Sequence, residues 1–314
     1  MTGAMPTLTI GTRGSALAMA QTALVQASLA ANSPGLTVRV ERIATIGDRL
    51  IDQPLADIGD KGLFVSEIED ALRAGRIDLA IHSAKDLPTD LPPDLALVAF
   101  PVRADPRDVL VSRAGRLADL PAGSRIGTSS PRRICQIAAV RPDLDPRLVR
   151  GTVDTRLAKL AAGEYEALVL AAAGLIRLGR TDVITEWLSP SIMLPAVGQG
   201  ALALQIRADD ARLRGLVTPL NDAPTAVKVM TERAFLRRLG GGCSAAAGAY
   251  ATLGAGGLML TGLIGHPDGR HVRGVRHGSA DAGEALGEAL AADLLDRGGT
   301  DFLAEARRAD AALR

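Results

Sequence analysis

From residue 7 onward, short apolar runs typical of β-strands alternate with helical runs, and this alternation constrains the fold more than any other feature. The order is TLTIGT (7–12), SALAMAQTALVQASLA (15–30), LTVRVERI (36–43), FVSEIEDALRAG (64–75) and IDLAIHS (77–83). A βαβαβ order of this kind favours a parallel sheet with helices on both faces. The first part of the chain is therefore predicted to be a doubly wound α/β domain.

The same alternation resumes after Asp108. Strand-like DVLVS, RIGT, RLVRG and EALVLAAA are interspersed with helical SSPRRICQIAAV and DTRLAKLAAG. The segments IGTRGS (10–15) and IGTSSPRR (126–133) each end a strand in Ile-Gly-Thr and then open a helix. Helix N-termini attract anions, and ligands of α/β sheets lie at the carboxyl ends of the strands. We therefore expect a second α/β lobe and a candidate anion site in each lobe.

Residues 221–314 differ in character from the rest of the chain. A helical run and a glycine-rich loop are followed by the strand-like runs SAAAGAYATL, GLMLTGLIG and HVRGVRHG, and then by helical runs at 282–297 and 300–314. Glycine-rich turns between the strand-like runs favour an antiparallel meander. We predict a smaller α+β domain with an antiparallel three-stranded sheet. The predicted domains are residues 1–103 with 201–220, residues 104–200, and residues 221–314.

The composition is that of a globular protein with two or three domains, since the 314 residues are 47% hydrophobic with a net charge of +1. No stretch reaches the roughly 18 apolar residues of a membrane span, and the first residues lack the features of a secretory signal. The two cysteines and four histidines are too few and too badly spaced for a familiar metal site or a disulfide framework. We expect a cytoplasmic protein with no metal and no membrane partner.

Basic residues concentrate between Arg125 and Arg180, where ten Arg and Lys side chains occur with five Asp and Glu side chains, an excess of +5. This excess predicts an anionic ligand, although any single arginine can simply be solvated. Nucleic acid is disfavoured because aromatic residues make up only 2% of the chain, which leaves few side chains for base stacking. The expected partner is a small anionic molecule.

Cys243 lies in the run GGGCS (240–244), where three glycines leave room for a sizeable ligand beside the thiol. The alternative is a C-cap glycine followed by an ordinary buried cysteine.

In GDKGLF (59–64), Lys61 could close over an anion, or the segment could be a plain solvated loop.

Asp86 follows an apolar strand in HSAKDLPTD (82–90) and is the leading acid candidate. A carboxylate next to Lys85 could stabilise a cation that forms on a substrate and transfer protons to a leaving group. The alternative is a structural aspartate that caps the turn before Pro88. We expect His82 to be a packed or hydrogen-bonded residue at the strand end.

Eight motifs occur in one order over most of the chain: TRGS, GDKGLF, HSAKDLP, GTSSPRR, RGTVDTRL, AAAGLIRLG, LPAVGQGAL and ERAFLRRLGGGC. Together they resemble the porphobilinogen deaminase (hydroxymethylbilane synthase) family over roughly residues 8–250. The resemblance implies three domains, the first two shaped like a periplasmic-type binding protein with an active-site cleft between them. It also implies a transferase that joins four porphobilinogen molecules, each losing ammonia, into hydroxymethylbilane on a covalent dipyrromethane cofactor.

The resemblance also implies residue roles. Cys243 would carry the dipyrromethane through a thioether, and Asp86 would stabilise positive charge on pyrrole nitrogens and assist proton transfers. The residues implied to hold the cofactor are Ser83, Lys85, Thr128, Ser129, Arg132 and Arg133, and those implied to hold substrate are Arg13, Ser15, Lys61, Arg150, Arg156 and Arg177. Arginines suit this task because each pyrrole carries an acetate and a propionate group.

Two positions depart from the family pattern. Thr152 stands where the family usually has asparagine, and Asp57 stands where some members have lysine. These departures leave open the hydrogen bonding near Arg150 and any role of residue 57 in binding acid groups.

Two other functions remain as alternatives. A two-lobed binding protein for a carboxylated metabolite would have a similar fold without turnover, but it has no need for a thiol after three glycines. A thiol redox enzyme is less favoured, because Cys135 lies on a predicted helix without a C-x-x-C partner. A monomer is expected.

Overall fold

The computed structural model describes residues 7–45, 65–241 and 246–312, which form two five-stranded mixed sheets and one three-stranded antiparallel sheet. In chain order the strands are β1 (Thr7–Thr12), β2 (Thr37–Arg42), β3 (Leu79–Ser83), β4 (Leu95–Ala99), β5 (Asp108–Ser112), β6 (Arg125–Gly127), β7 (Asp145–Arg147), β8 (Ala167–Ala171), β9 (Glu186–Trp187), β10 (Leu202–Arg207), β11 (Ala246–Gly254), β12 (Gly257–Gly265) and β13 (His271–Gly278). The helices are α1 (Ala16–Asn32), α2 (Ser66–Arg73), α3 (Pro131–Val140), α4 (Val153–Ala161), α5 (Ala172–Arg177), α6 (Ala211–Val217), α7 (Ala223–Arg238), α8 (Gly283–Leu294) and α9 (Thr300–Ala312), and the 3-10 turn Ala84–Asp86 directly follows β3.

The first sheet has the strand order β2-β1-β3-β10-β4. β1 runs parallel to β2 and β3, whereas β10 runs antiparallel to β3 and β4. The expected parallel strands are present, but the sheet is mixed because β10 enters it from the second sheet rather than through a crossover helix. Leu8 and Leu204 on the strands are buried against Val25 and Leu29 of α1.

The second sheet repeats this arrangement in the order β7-β6-β8-β5-β9. β6 runs parallel to β7 and β8, and β5 runs antiparallel to β8 and β9. Strand for strand, β6 takes the place of β1, and β5 takes the place of β10. The two Ile-Gly-Thr segments therefore occupy equivalent positions, and the prediction of two α/β lobes is confirmed.

Two crossover segments connect the sheets, residues 100–107 between β4 and β5 and residues 188–201 between β9 and β10. They touch where the Ala104 N–H donates to the Gly200 carbonyl at 3.2 Å. Gly200 has φ 87°, and a Cβ built there would lie 2.5 Å from the Ala104 carbonyl oxygen, so only glycine fits this crossing. The Ala84 N–H also donates to the Ala201 carbonyl at 3.0 Å, which places the 3-10 turn beside the crossing.

The C-terminal part contains the sheet β11-β12-β13, in which both strand pairs are antiparallel, as predicted. Phe235 of α7 and Leu290 of α8 are fully buried against it, and Gly262 of β12 allows their close approach. The helix predicted over 282–297 ends earlier, because α8 stops at Leu294 and a π-helical turn, Leu295–Gly299, follows. Gly298 adopts φ 108° within that turn, a conformation that glycine tolerates and that interrupts the helix.

The helices of the described residues include none with the length and apolar character that crossing a membrane requires.

Candidate active site

A pocket opens at the carboxyl ends of β1 and β3 and brings together four residues predicted to form the site. Its polar lining includes Arg13, Ser15, Ser83 and Asp86. The Ser15 hydroxyl caps α1 by accepting from the Ala18 N–H at 3.2 Å, which fixes the loop that carries Arg13. The first Ile-Gly-Thr segment therefore contributes directly to this pocket.

Gln21 is a pocket residue that the sequence interpretation missed. It is buried, and its Nε2 donates to the Ser83 hydroxyl at 3.0 Å. The available signal was that Gln21 is the first polar side chain of α1, after the apolar run that follows Ser15. A buried amide needs partners, and here it orients a predicted site residue.

Asp86 ends the 3-10 turn, and its side chain is exposed toward the pocket. The backbone just after the turn is held by Arg233 of α7, which donates from Nη2 to the carbonyls of Pro88 and Thr89 at 2.7 and 3.1 Å. Among the described residues, no group donates a hydrogen bond to the Asp86 carboxylate. The carboxylate is thus available to a ligand, and the geometry does not favour the alternative of a capping aspartate.

Lys85 is partly buried in the same turn, and burial lowers the pKa of its ammonium group. The Asp86 carboxylate opposes this shift, whereas the Arg133 guanidinium adds to it. The Lys85 side chain is therefore close enough to the first turn of α3 for the charges of the two elements to interact. The two lobes therefore contribute to one site.

Arg132 and Arg133 lie in the first turn of α3, and both are buried against Asp108 at the start of β5. Arg132 Nη1 lies 2.7 Å from Asp108 Oδ2, and Arg133 Nη2 lies 2.7 Å from Asp108 Oδ1. Burial alone would raise the pKa of Asp108, but the two guanidinium charges outweigh burial and hold it well below the usual range. One carboxylate therefore offsets part of the charge of the pair.

Two arginine donors at the site are buried without a hydrogen-bond partner among the described residues. They are the Nε–H groups of Arg132 and Arg150. A buried N–H without an acceptor is costly, so such donors indicate a place for an anionic ligand. The residues fit a group that carries several carboxylates.

Arg156 on α4 extends this cluster. Burial lowers the pKa of Arg156, and the nearby charges of Arg133 and Arg150 lower it further. Its Nε donates to the Gly151 carbonyl at 3.0 Å. The second lobe thus brings together cations that were predicted from two separate motifs, GTSSPRR and RGTVDTRL.

Arg177 on α5 is held at the crossover, where its Nη2 donates to the Gly200 carbonyl at 2.7 Å. Burial lowers the pKa of Arg177 to about 10. This contact connects the helix after β8 to the segment that returns to the first sheet. Its hydrogen bond is to backbone, so the side chain retains its full charge for a ligand.

Thr128 and Ser129 lie between β6 and α3, but their hydroxyl groups serve local structure. Thr128 Oγ1 accepts from the Ser130 N–H at 3.2 Å, and Ser129 Oγ donates to the Val149 carbonyl. These bonds shape the loop that precedes Arg132 and connect it to the segment before Arg150.

Thr152, the departure from the family pattern, is the N-cap of α4 and accepts from the Thr155 N–H at 3.3 Å. Threonine is a good N-cap residue, so this position keeps a sound structural role. Lys61, Asp57 and Cys243 lie outside the described residues.

His82 is buried, as predicted, and its Nε2 lies 2.9 Å from Gln205 Oε1. Gln205 Nε2 in turn donates to Glu69 Oε1 at 2.9 Å. Burial lowers the pKa of His82 to about 4, so the imidazole is neutral near pH 7. The prediction of a hydrogen-bonded residue at the strand end is confirmed.

Comparison with known proteins agrees with these features. The family "Porphobilinogen deaminase, dipyromethane cofactor binding domain" matches residues 8–215, and "Porphobilinogen deaminase, C-terminal domain" matches residues 226–296. The first match spans the two five-stranded sheets and ends within α6. The second match covers most of the C-terminal part, from α7 to the π-helical turn.

Curated relatives match along nearly their whole length. Porphobilinogen deaminase of Roseiflexus castenholzii is 57% identical, with 95% of this chain and 98% of the relative covered. Porphobilinogen deaminase of Roseiflexus sp. (strain RS-1) is 56% identical, with 95% and 99% covered. That of Syntrophobacter fumaroxidans is 47% identical, with 96% and 98% covered. The chain belongs to the porphobilinogen deaminase family.

Proposed function

We propose that this chain is a hydroxymethylbilane synthase, which joins four porphobilinogen molecules head to tail with release of ammonia. The observation that carries the proposal is the pair of buried Nε–H donors of Arg132 and Arg150, for which the described part of the chain provides no acceptor. They belong to a cationic cluster with Lys85, Arg133 and Arg156, and pyrroles that carry acetate and propionate groups supply the carboxylates that such donors need.

In this proposal a covalently bound dipyrromethane supplies the primer, a terminal pyrrole to which substrate is added. Arg132 and Arg133, with Lys85, Ser83, Thr128 and Ser129 nearby, form the side of the site that would hold its carboxylates. Arg13, Ser15, Arg150, Arg156 and Arg177 would hold substrate carboxylates, and Lys61 is assigned to the same task from the sequence alone. Each of these two groups contains residues from both lobes.

We assign the proton transfers to Asp86. Loss of ammonia from the substrate and attack by a pyrrole carbon place positive charge on pyrrole nitrogens, and a carboxylate close by lowers the energy of that charge. The Asp86 side chain is exposed in a pocket with Arg13 and Ser83, and no described residue occupies it with a hydrogen bond. It can therefore hold a proton released in one step and return it in the next.

We assign the covalent attachment to Cys243. The described residues before and after its loop both border the site: a Cβ built on Gly241 would lie 3.2 Å from Thr89 Oγ1, and one built on Gly248 would lie 3.1 Å from Arg132 Cδ. This supports a tether close to both Asp86 and the arginine pair.

The sheet memberships support domain boundaries at 1–103 with 201–220, at 104–200 and at 221–314, because β10 belongs to the first sheet and follows the second crossover. A cytoplasmic monomer whose partner is the small molecule porphobilinogen completes the proposal. These statements follow the family resemblance.

The intact mass of the purified, denatured chain tests the proposal. We expect a covalent excess equal to two pyrrole units, which Cys243→Ser abolishes. The matched control is Cys135→Ser, because Cys135 is a buried free cysteine and burial raises the pKa of its thiol to about 11. We expect this control to keep the added mass.

An unmodified mass in protein that consumes porphobilinogen would contradict the tether. A chain that binds porphobilinogen but releases no ammonia would instead support a two-lobed binding protein.

A further inference from the structure

A second cavity lies between β4 of the first sheet and α7, beside the connection that follows Asp86. Its volume is about 570 Å³, and its apolar walls include Leu91, Leu97, Phe100 and Met230. Within the described part of the chain, none of the residues that line it also lines the pocket at the carboxyl ends of β1 and β3. A molecule in this cavity would therefore occupy a site separate from the candidate active site.

Arg233 of α7 supplies the cavity with a buried cation. The residue is only 4% exposed, and its Nη2 uses both N–H groups on the carbonyls of Pro88 and Thr89. Nε and Nη1 donate no hydrogen bond to the residues that the structure describes, and neither atom is fully buried. Because Arg233 lines the cavity, these remaining donors face it.

No carboxylate of the described residues forms an ion pair with Arg233. Its pKa is lowered to about 10, chiefly by burial and then by the charge of Arg237, while the charge of Asp90 opposes the shift. Arg237 lies one turn further along the helix and is more exposed, and it donates to Glu284 and Glu288 at 3.0 and 3.1 Å. The more exposed arginine thus has carboxylate partners, whereas the buried one has only backbone carbonyls.

Arg177 shows the same combination of features at the candidate active site. Burial lowers its pKa to about 10, and the described residues offer its guanidinium a backbone carbonyl, that of Gly200, rather than a carboxylate. A desolvated guanidinium without a carboxylate partner gains most from an anionic ligand, because hydrogen bonds between charged groups are the strong ones. Arg233 repeats in its own cavity the arrangement of a residue that we assign to substrate carboxylates.

We propose that this cavity is a second ligand site, which binds a small molecule that has one carboxylate and an apolar body. The carboxylate accepts hydrogen bonds from the open donors of Arg233, and the apolar body packs on Phe100 and Met230. The volume lies in the range of small-molecule sites, which combine apolar walls with a few polar groups that fix orientation. The inference does not depend on the proposed function.

Octanoate is the probe, and octan-1-ol is its uncharged counterpart. In calorimetric titration of the holoenzyme, octanoate should bind with a dissociation constant of about 1 mM or tighter. Octan-1-ol should bind about tenfold more weakly or worse, because it cannot supply a negative charge to Arg233. Absence of octanoate binding, or equal affinity for the two probes, would overturn the inference.

The cation clusters of the two sites must be told apart. Arg233→Gln should weaken octanoate binding by about tenfold or more, since it removes the charge that faces the cavity. Arg150→Gln removes a charge from the candidate active site and should leave octanoate affinity within about twofold of wild type. Arg214→Gln, at an exposed arginine of α6, controls for the loss of a surface charge and should also bind as wild type. The opposite order, with Arg150→Gln the weaker binder, would place octanoate in the active site and overturn the inference.

Arg233→Gln also removes the hydrogen bonds to Pro88 and Thr89, so a second variant leaves Arg233 in place. Ala226 lines the cavity, and Ala226→Phe adds a ring that fills part of its volume. This variant should unfold cooperatively and consume porphobilinogen as wild type does, but it should lose octanoate binding. Wild-type octanoate affinity in Ala226→Phe would overturn the inference. A wild-type chain that binds octanoate in the predicted pattern but does not consume porphobilinogen would contradict the proposed function alone.

Discussion

Glu232 of α7 receives both terminal nitrogens of the Arg103 guanidinium, with Nη1 2.7 Å from Oε1 and Nη2 3.0 Å from Oε2. The carboxylate is fully buried, and it also accepts from the Gly198 N–H at 2.7 Å and from the Ala251 N–H at 2.9 Å. Arg103 and Gly198 lie on the two crossover segments, and Ala251 lies on β11. One side chain therefore connects the junction of the two lobes to the C-terminal sheet.

Glu232→Gln should destabilise the chain strongly, because it leaves the buried Arg103 guanidinium without a counter-charge. We expect the free energy of unfolding to fall by about 3–5 kcal/mol. Urea denaturation provides the measurement. Glu284→Gln, which breaks an exposed pair between Arg237 of the same helix and α8, should cost less than about 1 kcal/mol. Similar losses for the two variants would contradict this account of the connection.

His82 should make stability depend on pH in a defined window. Because burial lowers the pKa of His82 from 6.5 to about 4, the unfolded chain binds a proton between these values that the folded chain does not. The neutral His82 therefore contributes fully to the free energy of unfolding above pH 6.5. As the pH falls toward 4, the free energy of unfolding decreases by up to about 3 kcal/mol. His82→Gln keeps a donor for Gln205 and removes the titrating group.

The measurement is the difference in unfolding free energy between wild type and His82→Gln, followed from pH 7 to pH 4. We expect wild type to lose stability relative to the variant across this range. His277→Gln, at an exposed position of β13, controls for the loss of a histidine in general. Parallel pH profiles for wild type and His82→Gln would show that the buried imidazole does not cause the dependence.

Much of the fold was predictable because its signals are local. The strand-like run IDLAIHS ends at Ser83 in the structure, and Asp86 follows on the next turn of backbone, so the sequence alone placed this carboxylate at the carboxyl end of a strand. The two Ile-Gly-Thr segments also predicted equivalent strand-to-helix junctions. In each case, the residues that determine the structure are neighbours in the chain.

The remaining features depend on partners far away in sequence. Glu232 lies between threonine and arginine in a charged stretch of helix, where it resembles a solvated residue, yet its partner Arg103 is 129 residues away. His82 and Gln205 are 123 residues apart and meet only because β10 returns from the second sheet. The direction of β10 likewise follows from packing between distant segments, as do the hydrogen bonds that Arg132 and Arg133 donate. No local sequence pattern encodes these contacts.

Asp86→Ala should separate cofactor attachment from chain extension. The variant lacks the carboxylate that stabilises cationic pyrrole nitrogens but keeps Cys243 and the arginine cluster. We expect it to retain the two-pyrrole mass. We expect its rate of ammonia release from porphobilinogen to fall by about 100-fold or more relative to wild type. Asp90→Ala, at an exposed aspartate on the same connection, is the matched control and should keep its turnover. Normal turnover in Asp86→Ala would refute its catalytic role.

Gly198 should matter to catalysis through its contact with the turn that carries Asp86. It has φ 68°, and a Cβ built there would lie 3.1 Å from Ala84 Cβ and 3.3 Å from the Lys85 nitrogen. Gly198→Ala therefore adds about 1–2 kcal/mol of backbone strain and also pushes the turn by a few tenths of an ångström. Because misplacement of a catalytic group lowers rate steeply, we expect kcat to fall by about threefold or more.

The matched control is Gly179→Ala. Gly179 has nearly the same φ, 66°, but no atom of the residues that the structure describes lies within 4 Å of the position that its Cβ would occupy. Both variants should lower the melting temperature through the same strain, whereas only Gly198→Ala should lower kcat. If the two variants reduced kcat equally, backbone strain alone would explain the loss, and the contact between Gly198 and the Asp86 turn would have no catalytic consequence.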